Sequence, residues 1–147
     1  MSTLDDTDTT TPESYIPTGA LGNRKVIKHL SPSGFRLFNG FCDRWGFDEN
    51  QRLALLGDVP QQTYRKWGSE GANSLSRGQL ERISLILGIH KNMRILFADH
   101  DSAKRWFFGL NHDQPFGGIS PSEFMIQGNI GNLYRVRRYL EAWIQMK

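Results

Sequence analysis

The chain has 147 residues, of which 22% are charged and 38% apolar, a composition typical of a globular protein of one or two small domains. It contains no run of about 18 apolar residues, which argues against a membrane span. The N-terminus lacks the basic and apolar segments of a secretory signal peptide. The single cysteine, Cys42, excludes an internal disulfide and fits a reducing compartment. We therefore expect a cytoplasmic protein.

The net charge of +3 is unevenly distributed along the chain. Four acidic residues, Asp5, Asp6, Asp8 and Glu13, precede the first basic residue, Arg24. Without those four, the chain carries 18 basic and 11 acidic residues, a net charge of +7. Such an excess attracts polyanions such as DNA, although a solvated basic surface without a ligand explains it equally well.

Residues 1–22 are rich in Thr, Asp, Pro and Gly and contain few large apolar residues. Such a segment cannot bury enough apolar surface to offset the entropy lost on ordering. We therefore predict a flexible tail over residues 1–22.

From residue 34 the apolar residues recur at three- and four-residue spacing, which predicts a first helix ending near Gly46. Its apolar stripe consists of Phe35, Phe38, Phe41, Cys42 and Trp45. Asp48 is the expected N-cap of a short second helix. The single cysteine lies on the apolar stripe, which favours a buried hydrophobic role over a nucleophilic one.

The segment LALLGDVPQQTYRKW, residues 53–67, has the spacing of a helix-turn-helix. Gly57 and Asp58 form the expected turn, and Pro60 is expected to start a third helix that ends at Gly68. Pro60 stands where many such motifs have a Ser or Thr cap. A helical hairpin with a polar outer face, and no role in DNA binding, has the same spacing.

Helical periodicity directs Val59, Thr63 and Trp67 towards the core and leaves a polar face on the third helix. Gln can pair with adenine, and Arg can pair with guanine or phosphate. The first residues of a recognition helix lie deepest in the major groove. The candidate DNA-binding residues are therefore Gln61, Gln62, Thr63, Arg65 and Lys66.

The pattern of the remaining residues also predicts helices, and no alternation of apolar and polar residues is long enough to predict a strand. The predicted helices span about residues 76–87, 91–97, 102–108, 120–127 and 130–145, with a break at Gly88 and a loop over 109–119. Ser120, Pro121 and Glu123 have the pattern of a helix N-terminus. The fold class is therefore all-α.

The segments LSRGQLERISLILGIHKNMRILF, SAKRWFFGLN, FGGISPSEFMIQG and LYRVRRYLEAW resemble the Xre/MbcA/ParS family of antitoxins. The resemblance covers roughly residues 35–147. The matching positions are Ala103, Trp106, Asn111, Gly117, Gly118, Pro121, Gly128, Leu133, Val136 and Leu140.

The resemblance implies an Xre-like helix-turn-helix bundle followed by a small helical toxin-binding domain. It implies a DNA-binding domain over residues 23–98 and a toxin-binding domain over 99–147. Such antitoxins pair with RES-domain toxins, which deplete cellular NAD, and repress their own operon together with the toxin. The expected partners are thus a RES-domain toxin, operator DNA and a second copy of the chain, since such repressors bind paired half-sites.

The resemblance places toxin contact at the turn around residues 117–121 and on the last helix. Arg and aromatic residues are enriched among interface hot spots. The candidate toxin-binding residues are Gly117, Gly118, Arg137, Arg138, Tyr139, Trp143 and Lys147. Alternatively, this region only closes a helical core, chiefly through Trp106, Phe107, Leu133, Val136 and Leu140. The face with Arg137, Arg138 and Tyr139 is then merely solvated.

The sequence offers no catalytic, metal or cofactor site. The four histidines and one cysteine lack the spacing of metal ligands, and the glycine pair at 117–118 does not follow a strand. We therefore expect a protein that is not an enzyme. Two other hypotheses stay open: a regulator whose C-terminal helices only dimerise, and an inhibitor that has lost DNA binding.

Overall fold

The computed structural model describes residues 24–147, with side chains from residue 30 onward. The predicted tail, residues 1–22, lies outside the described residues. The described part contains helices and no strand, which confirms the all-α fold. None of its helices is both long and apolar enough to cross a lipid bilayer. The helices are α1 Arg24–Trp45, α2 Glu49–Leu55, α3 Gln61–Glu70, α4 Arg77–Leu96, α5 His100–Phe108, α6 Pro121–Gln127 and α7 Ile130–Met146.

The chain divides into two compact units, the first ending at Leu87 and the second running from Gly88 to Lys147. The first unit contains α1, α2, α3 and the first half of α4. The second contains the rest of α4 and the helices α5 to α7. The sequence places its functional boundary later, between residues 98 and 99. A division by packing does not test a division by function, so the functional domains stay a prediction.

Helix α4 is continuous through Gly88, so the predicted break at this residue is wrong. A glycine inside a helix costs only about 1 kcal/mol relative to alanine. Burial of Ile89 and Met93 on the next turns outweighs that cost. A Cβ atom at Gly88 would lie 3.4 Å from the guanidinium carbon of Arg137. The guanidinium of Arg137, on α7, therefore lies at ordinary van der Waals distance from the place that a side chain at residue 88 would take.

Helix α1 begins at Arg24, ten residues before the predicted start, and contains Pro32. The predicted start at residue 34 is therefore wrong. The Ser-Pro-Ser sequence at 31–33 interrupts the apolar pattern, so periodicity does not predict this part of the helix. In this part of the helix the buried Ser31 hydroxyl accepts a hydrogen bond from the backbone N–H of Leu75 at 3.0 Å.

The predicted apolar stripe of α1 is buried along its length, from Phe35 to Trp45. Cys42 is fully buried within it, and burial raises the pKa of its thiol to about 12. The thiol is therefore protonated at neutral pH, as expected for a cysteine that acts as a small hydrophobic residue. The stripe and the role of Cys42 are both confirmed.

The ends of the helices follow local sequence signals. Gly46 has φ +74°, and Asp48 caps α2 by accepting a hydrogen bond from the Gln51 N–H at 2.9 Å. The Gln51 side chain accepts in return from the Asp48 N–H at 2.8 Å, which completes a capping box. Ser120 caps α6 by accepting from the Glu123 N–H at 3.1 Å. These predicted caps are confirmed.

The turn between α2 and α3 also matches its prediction. Gly57 has φ +94° and Asp58 has φ +62°, a left-handed pair that turns the chain sharply. The Leu53 carbonyl accepts hydrogen bonds from the N–H groups of Asp58, at 2.9 Å, and Val59, at 3.2 Å. Helix α3 then begins at Gln61 and continues to Glu70, past the predicted end at Gly68.

Replacing Gly57 with alanine should destabilise the first unit. Alanine at this position would have to adopt an unfavourable left-handed backbone conformation, and its Cβ would lie 2.9 Å from Arg82 Nε. We expect Gly57→Ala to lower the free energy of unfolding by about 1–2 kcal/mol. Gly68→Ala is the matched control, because that residue is helical with open space around it and should gain up to about 1 kcal/mol. Urea unfolding followed by circular dichroism measures the free energy of unfolding of both variants. Equal effects would contradict the requirement for glycine in the left-handed turn at residue 57.

Candidate functional site

Helix α3 presents the polar face that the sequence predicts. Gln61, Gln62, Arg65 and Lys66 are exposed, whereas Thr63 is half-buried. Pro60 takes the N-cap position with no side-chain hydrogen bond, as expected for a residue without a polar side chain. The structure therefore brings four of the five candidate DNA contacts to solvent on two turns of one helix.

Aromatic packing holds α3 against α1. The ring of Phe35 makes edge-on contacts with Tyr64, at 5.5 Å between centroids, and with Trp67, at 5.6 Å. The Tyr64 hydroxyl also donates a hydrogen bond to the Asn39 side-chain oxygen. Edge-on aromatic pairs are favourable because the positive ring edge meets the negative ring face. These contacts fix the inner side of α3 and leave its polar face exposed.

Hydrogen bonds from a guanidinium group hold α2 against α1. Arg52 donates to the Phe47 carbonyl at 3.0 Å, to Asn39 Oδ1 at 3.2 Å and to Asp43 Oδ1 at 2.7 Å. Asn39 therefore accepts hydrogen bonds from both α2 and α3. One amide of α1 thus contacts both helices of the helix-turn-helix.

Glu49 joins the two helices on their exposed side, a contact that the sequence did not indicate. Its Oε1 atom accepts a hydrogen bond from Gln61 Nε2 at 2.7 Å. Arg65 binds the same carboxylate with two atoms, Nη2 at 3.0 Å from Oε1 and Nε at 3.1 Å from Oε2. The ion pair and the hydrogen bonds lower the pKa of Glu49 and raise that of Arg65. Two candidate DNA contacts therefore already have a partner within the chain.

The second unit contains a cluster of aromatic rings around Trp106. Tyr139 stacks on Trp106 with ring centroids 6.1 Å apart, and Trp143 contacts both of these rings at the same distance. Phe116 and Phe97 also contact Trp106, at 6.0 and 5.9 Å. Tyr139 and Trp143 are thus half-buried parts of this cluster, so they stabilise the unit whether or not they contact a partner.

The loop between α5 and α6 has its own hydrogen bonds. The backbone of Asn111 bonds to the other end of the loop. Its carbonyl accepts from the Gly118 N–H at 2.8 Å, and its N–H donates to the Ile119 carbonyl at 3.1 Å. Gly117 and Gly118 have φ +63° and +108°, a conformation that favours glycine. Both glycines therefore have a structural role, in which they shape the turn.

A hydrogen bond ties this loop to α7. The Tyr139 hydroxyl donates to Asp113 Oδ2 at 2.9 Å. Burial and the Asp113 carboxylate raise the pKa of Tyr139, so the hydroxyl stays protonated as a donor at neutral pH. The structure thus brings the two segments with candidate toxin contacts together.

The basic candidates on α7 differ in their surroundings. Arg137 is half-buried beside Gly88 and pairs with Glu141, with 3.1 Å between Nε and Oε2. Arg138 is exposed. Lys147 Nζ lies 3.5 Å from the Leu96 carbonyl at the end of α4. Arg138 is therefore the arginine of this pair that is more available to a partner.

Large exposed apolar side chains in the described part of the chain all lie in the second unit. They are Ile95, Phe108, Leu110, Tyr134 and Met146. Leu110 is 75% exposed and lies in the loop directly after α5. Leu110 is not among the sequence-predicted toxin contacts. The helical spacing could have indicated its exposure, because Ala103 and Phe107 form the buried side of α5.

Comparison with known proteins identifies a relative. The chain is 36% identical over 111 residues to uncharacterized protein y4oB of Sinorhizobium fredii (strain NBRC 101917 / NGR234), an alignment that spans 76% of this chain and 84% of the relative. The chain belongs to the same family as y4oB. No family model matches the chain. No solved structure gives a significant match either.

The pairing of Glu49 predicts an NMR-detectable difference in its titration. Because Arg65 and Gln61 stabilise the charged form, the pKa of Glu49 is lower in the folded state than in the unfolded one. Its contribution to stability is therefore complete above the unfolded-state pKa and is lost as the pH falls through the lower folded-state value. Arg65→Ala should raise the Glu49 pKa towards its ordinary value, whereas Lys66→Ala should leave it unchanged. An unaltered Glu49 titration curve in Arg65→Ala would contradict the pairing.

Proposed function

We propose that the protein is the antitoxin of a bacterial toxin–antitoxin pair, which binds operator DNA through α3 and its toxin through the second unit. The observation that carries the proposal is the exposed polar face of α3 directly after a short helix and a tight turn. The resemblance to the Xre/MbcA/ParS antitoxins supports the toxin-binding role and the identity of the toxin. In this proposal the toxin is a RES-domain enzyme that depletes NAD, and the antitoxin occludes its active site.

Support for DNA binding comes from the chemistry of α3. Gln62 and Lys66 are exposed, and they can reach a base edge and a phosphate, respectively. The packing of α3 on Phe35 fixes the helix before binding, so no entropy is lost in ordering its backbone on DNA. A homodimer that binds two half-sites fits this role.

Support for toxin binding comes from the second unit. Exposed apolar residues and arginines are common in protein interfaces, and the second unit exposes both types, in Leu110 and Arg138. The half-buried Tyr139 and Trp143 give the surface a rigid aromatic base. In the proposal, toxin contact involves the loop over 109–120 and the outer face of α7.

The competing function is a stand-alone regulator whose second unit serves only for dimerisation. The exposed apolar residues of the second unit would suit a dimer interface as well as a toxin interface. A third function, an inhibitor without DNA binding, is favoured by the engagement of Arg65 with Glu49. Two sets of variants separate the three functions.

The first set tests DNA binding. The double variant Arg65→Ala with Lys66→Ala should bind duplex DNA from upstream of its own reading frame at least about tenfold more weakly at 0.1 M salt. The slope of log affinity against log salt should fall by about 0.9 in magnitude, because Lys66 is the phosphate contact of this pair. Fluorescence anisotropy measures both quantities. Lys91→Ala, an exposed change in the second unit, is the control and should change neither by as much. Equal binding by both variants would favour the inhibitor.

The second set tests toxin neutralisation. The changes Leu110→Asp and Arg138→Glu should each restore growth arrest and NAD loss when co-expressed with the product of the neighbouring gene. They place a charge on exposed positions, so folding and DNA affinity should stay within about twofold of wild type. Lys91→Glu is the charge control. If the neighbouring gene product neither arrests growth nor depletes NAD, the RES pairing is wrong. If these variants lose only dimerisation in sedimentation, the regulator is the better account.

A further inference from the structure

The first residues of α2 and α3 meet through their side chains on the exposed side of the helix pair. Glu49 opens α2 and Gln61 opens α3, and one carboxylate binds both Gln61 and Arg65. The Glu49 side chain is 31% exposed and that of Arg65 is 64% exposed, so the contact lies at the surface where a ligand would approach. A surface ion pair of this kind contributes little to stability. Its position beside the candidate base contacts indicates a different role.

We propose that Glu49 determines DNA sequence specificity by positioning Gln61 and Arg65. The carboxylate fixes which hydrogen-bonding atoms these two side chains turn towards the bases. This inference rests on the proposed function of α3 as the DNA-reading helix. Glu49 acts through other residues, so it is a positioning residue.

The orientation of Gln61 follows from the chemistry of a carboxylate. An ionised carboxylate only accepts hydrogen bonds, so the amide group of Gln61 must turn its nitrogen towards Glu49. One N–H of that nitrogen and the carbonyl oxygen Oε1 then remain for a ligand. This donor and acceptor pair matches the N7 and N6 groups of adenine in the major groove. Glu49 therefore prepares Gln61 to recognise adenine.

The orientation of Arg65 follows in the same way. Glu49 occupies the edge formed by Nε and Nη2, which leaves the two N–H groups of Nη1 and the second N–H of Nη2. These donors still form a fork, and two parallel donors match the O6 and N7 acceptors of guanine. Glu49 thereby holds Arg65 in one conformation and preserves a guanine-reading edge.

The charge of Glu49 has a second effect on binding. The carboxylate neutralises Arg65 locally and repels DNA phosphates, which weakens the sequence-independent part of the affinity. A free Arg65 would be able to turn to any nearby phosphate. Glu49 therefore lowers binding to all DNA and favours binding to sites that satisfy both Gln61 and Arg65.

The test compares Glu49→Gln with Glu70→Gln in the full chain. Both changes remove one negative charge, but Glu70 lies at the other end of α3. Each variant is used to select sequences from a pool of duplexes with about 20 randomised base pairs, and binding to a fixed mixed-sequence duplex is titrated with salt. We expect Glu49→Gln to bind the fixed duplex about 3- to 10-fold more tightly, with a salt slope steeper by about 0.9. Its selected sequences should lose preference at two positions in each half-site, whereas Glu70→Gln should retain the wild-type preference.

A third variant separates position from charge. Glu49→Asp keeps the charge but withdraws both oxygens from Gln61 and Arg65, so it should relax the same two positions with a smaller increase in salt slope than Glu49→Gln. All variants should keep the wild-type circular dichroism spectrum and melting temperature, because this contact is at the surface. If Glu49→Gln and Glu49→Asp both select the wild-type sequences, the proposal is wrong while DNA binding by α3 stands. If the wild-type chain binds no duplex, α3 is not a DNA-reading helix and both proposals fail.

Discussion

The first unit depends on the burial of the aromatic stripe of α1. Phe38, Phe41 and Cys42 have almost no exposed surface, and Phe35 at the start of the stripe is the residue against which α3 packs. Apolar burial supplies the free energy, since each fully buried large side chain contributes roughly 1.5–3 kcal/mol. Polar contacts then select the geometry: Asn39, one turn after Phe35, accepts from side chains of both α2 and α3. A mobile α3 would have no fixed outer face, so any binding role for that helix depends on this packing.

The elements that the sequence predicted well are those set by local chemistry. The caps at Asp48 and Ser120 and the left-handed turn at Gly57 each depend on residues within about four positions of one another. The buried stripe of α1 follows from helical periodicity alone, and so does the buried face of α7 at Leu133, Val136 and Leu140. Exposure of the polar face of α3 follows from the same period.

The elements that the sequence mispredicted depend on tertiary contacts. Gly88 looks like a helix stop, yet neighbouring burial keeps α4 intact and the guanidinium of Arg137 lies beside the glycine. Pro32 suggested that the helix starts after it, yet α1 includes Pro32, and Ser31 in this part of the helix is hydrogen-bonded to Leu75. At Gly88 the burial of Ile89 and Met93 outweighs the cost of the glycine, and in the first part of α1 Ser31 is bonded to a residue 44 positions away along the chain. Periodicity cannot report such contacts.

The candidate site shows the same limit. The sequence placed Arg65 and Gln61 at the surface, but it gave no sign that Glu49, 16 and 12 residues earlier, binds both. Likewise, it marked Tyr139 and Trp143 as binding residues without showing that Trp106 already contacts them. A residue type suited to a ligand is equally suited to another side chain, and only geometry distinguishes the two.

The buried thiol of Cys42 has a practical consequence for the study of this chain. Since the only cysteine in the sequence is fully buried and protonated at neutral pH, maleimide reagents will meet little reactive thiolate in the folded protein. A second cysteine introduced on the surface can therefore carry a fluorophore at a single site, with the native residue left in place. The core that positions α3 thus leaves the molecule ready for site-specific labelling without a cysteine-free background.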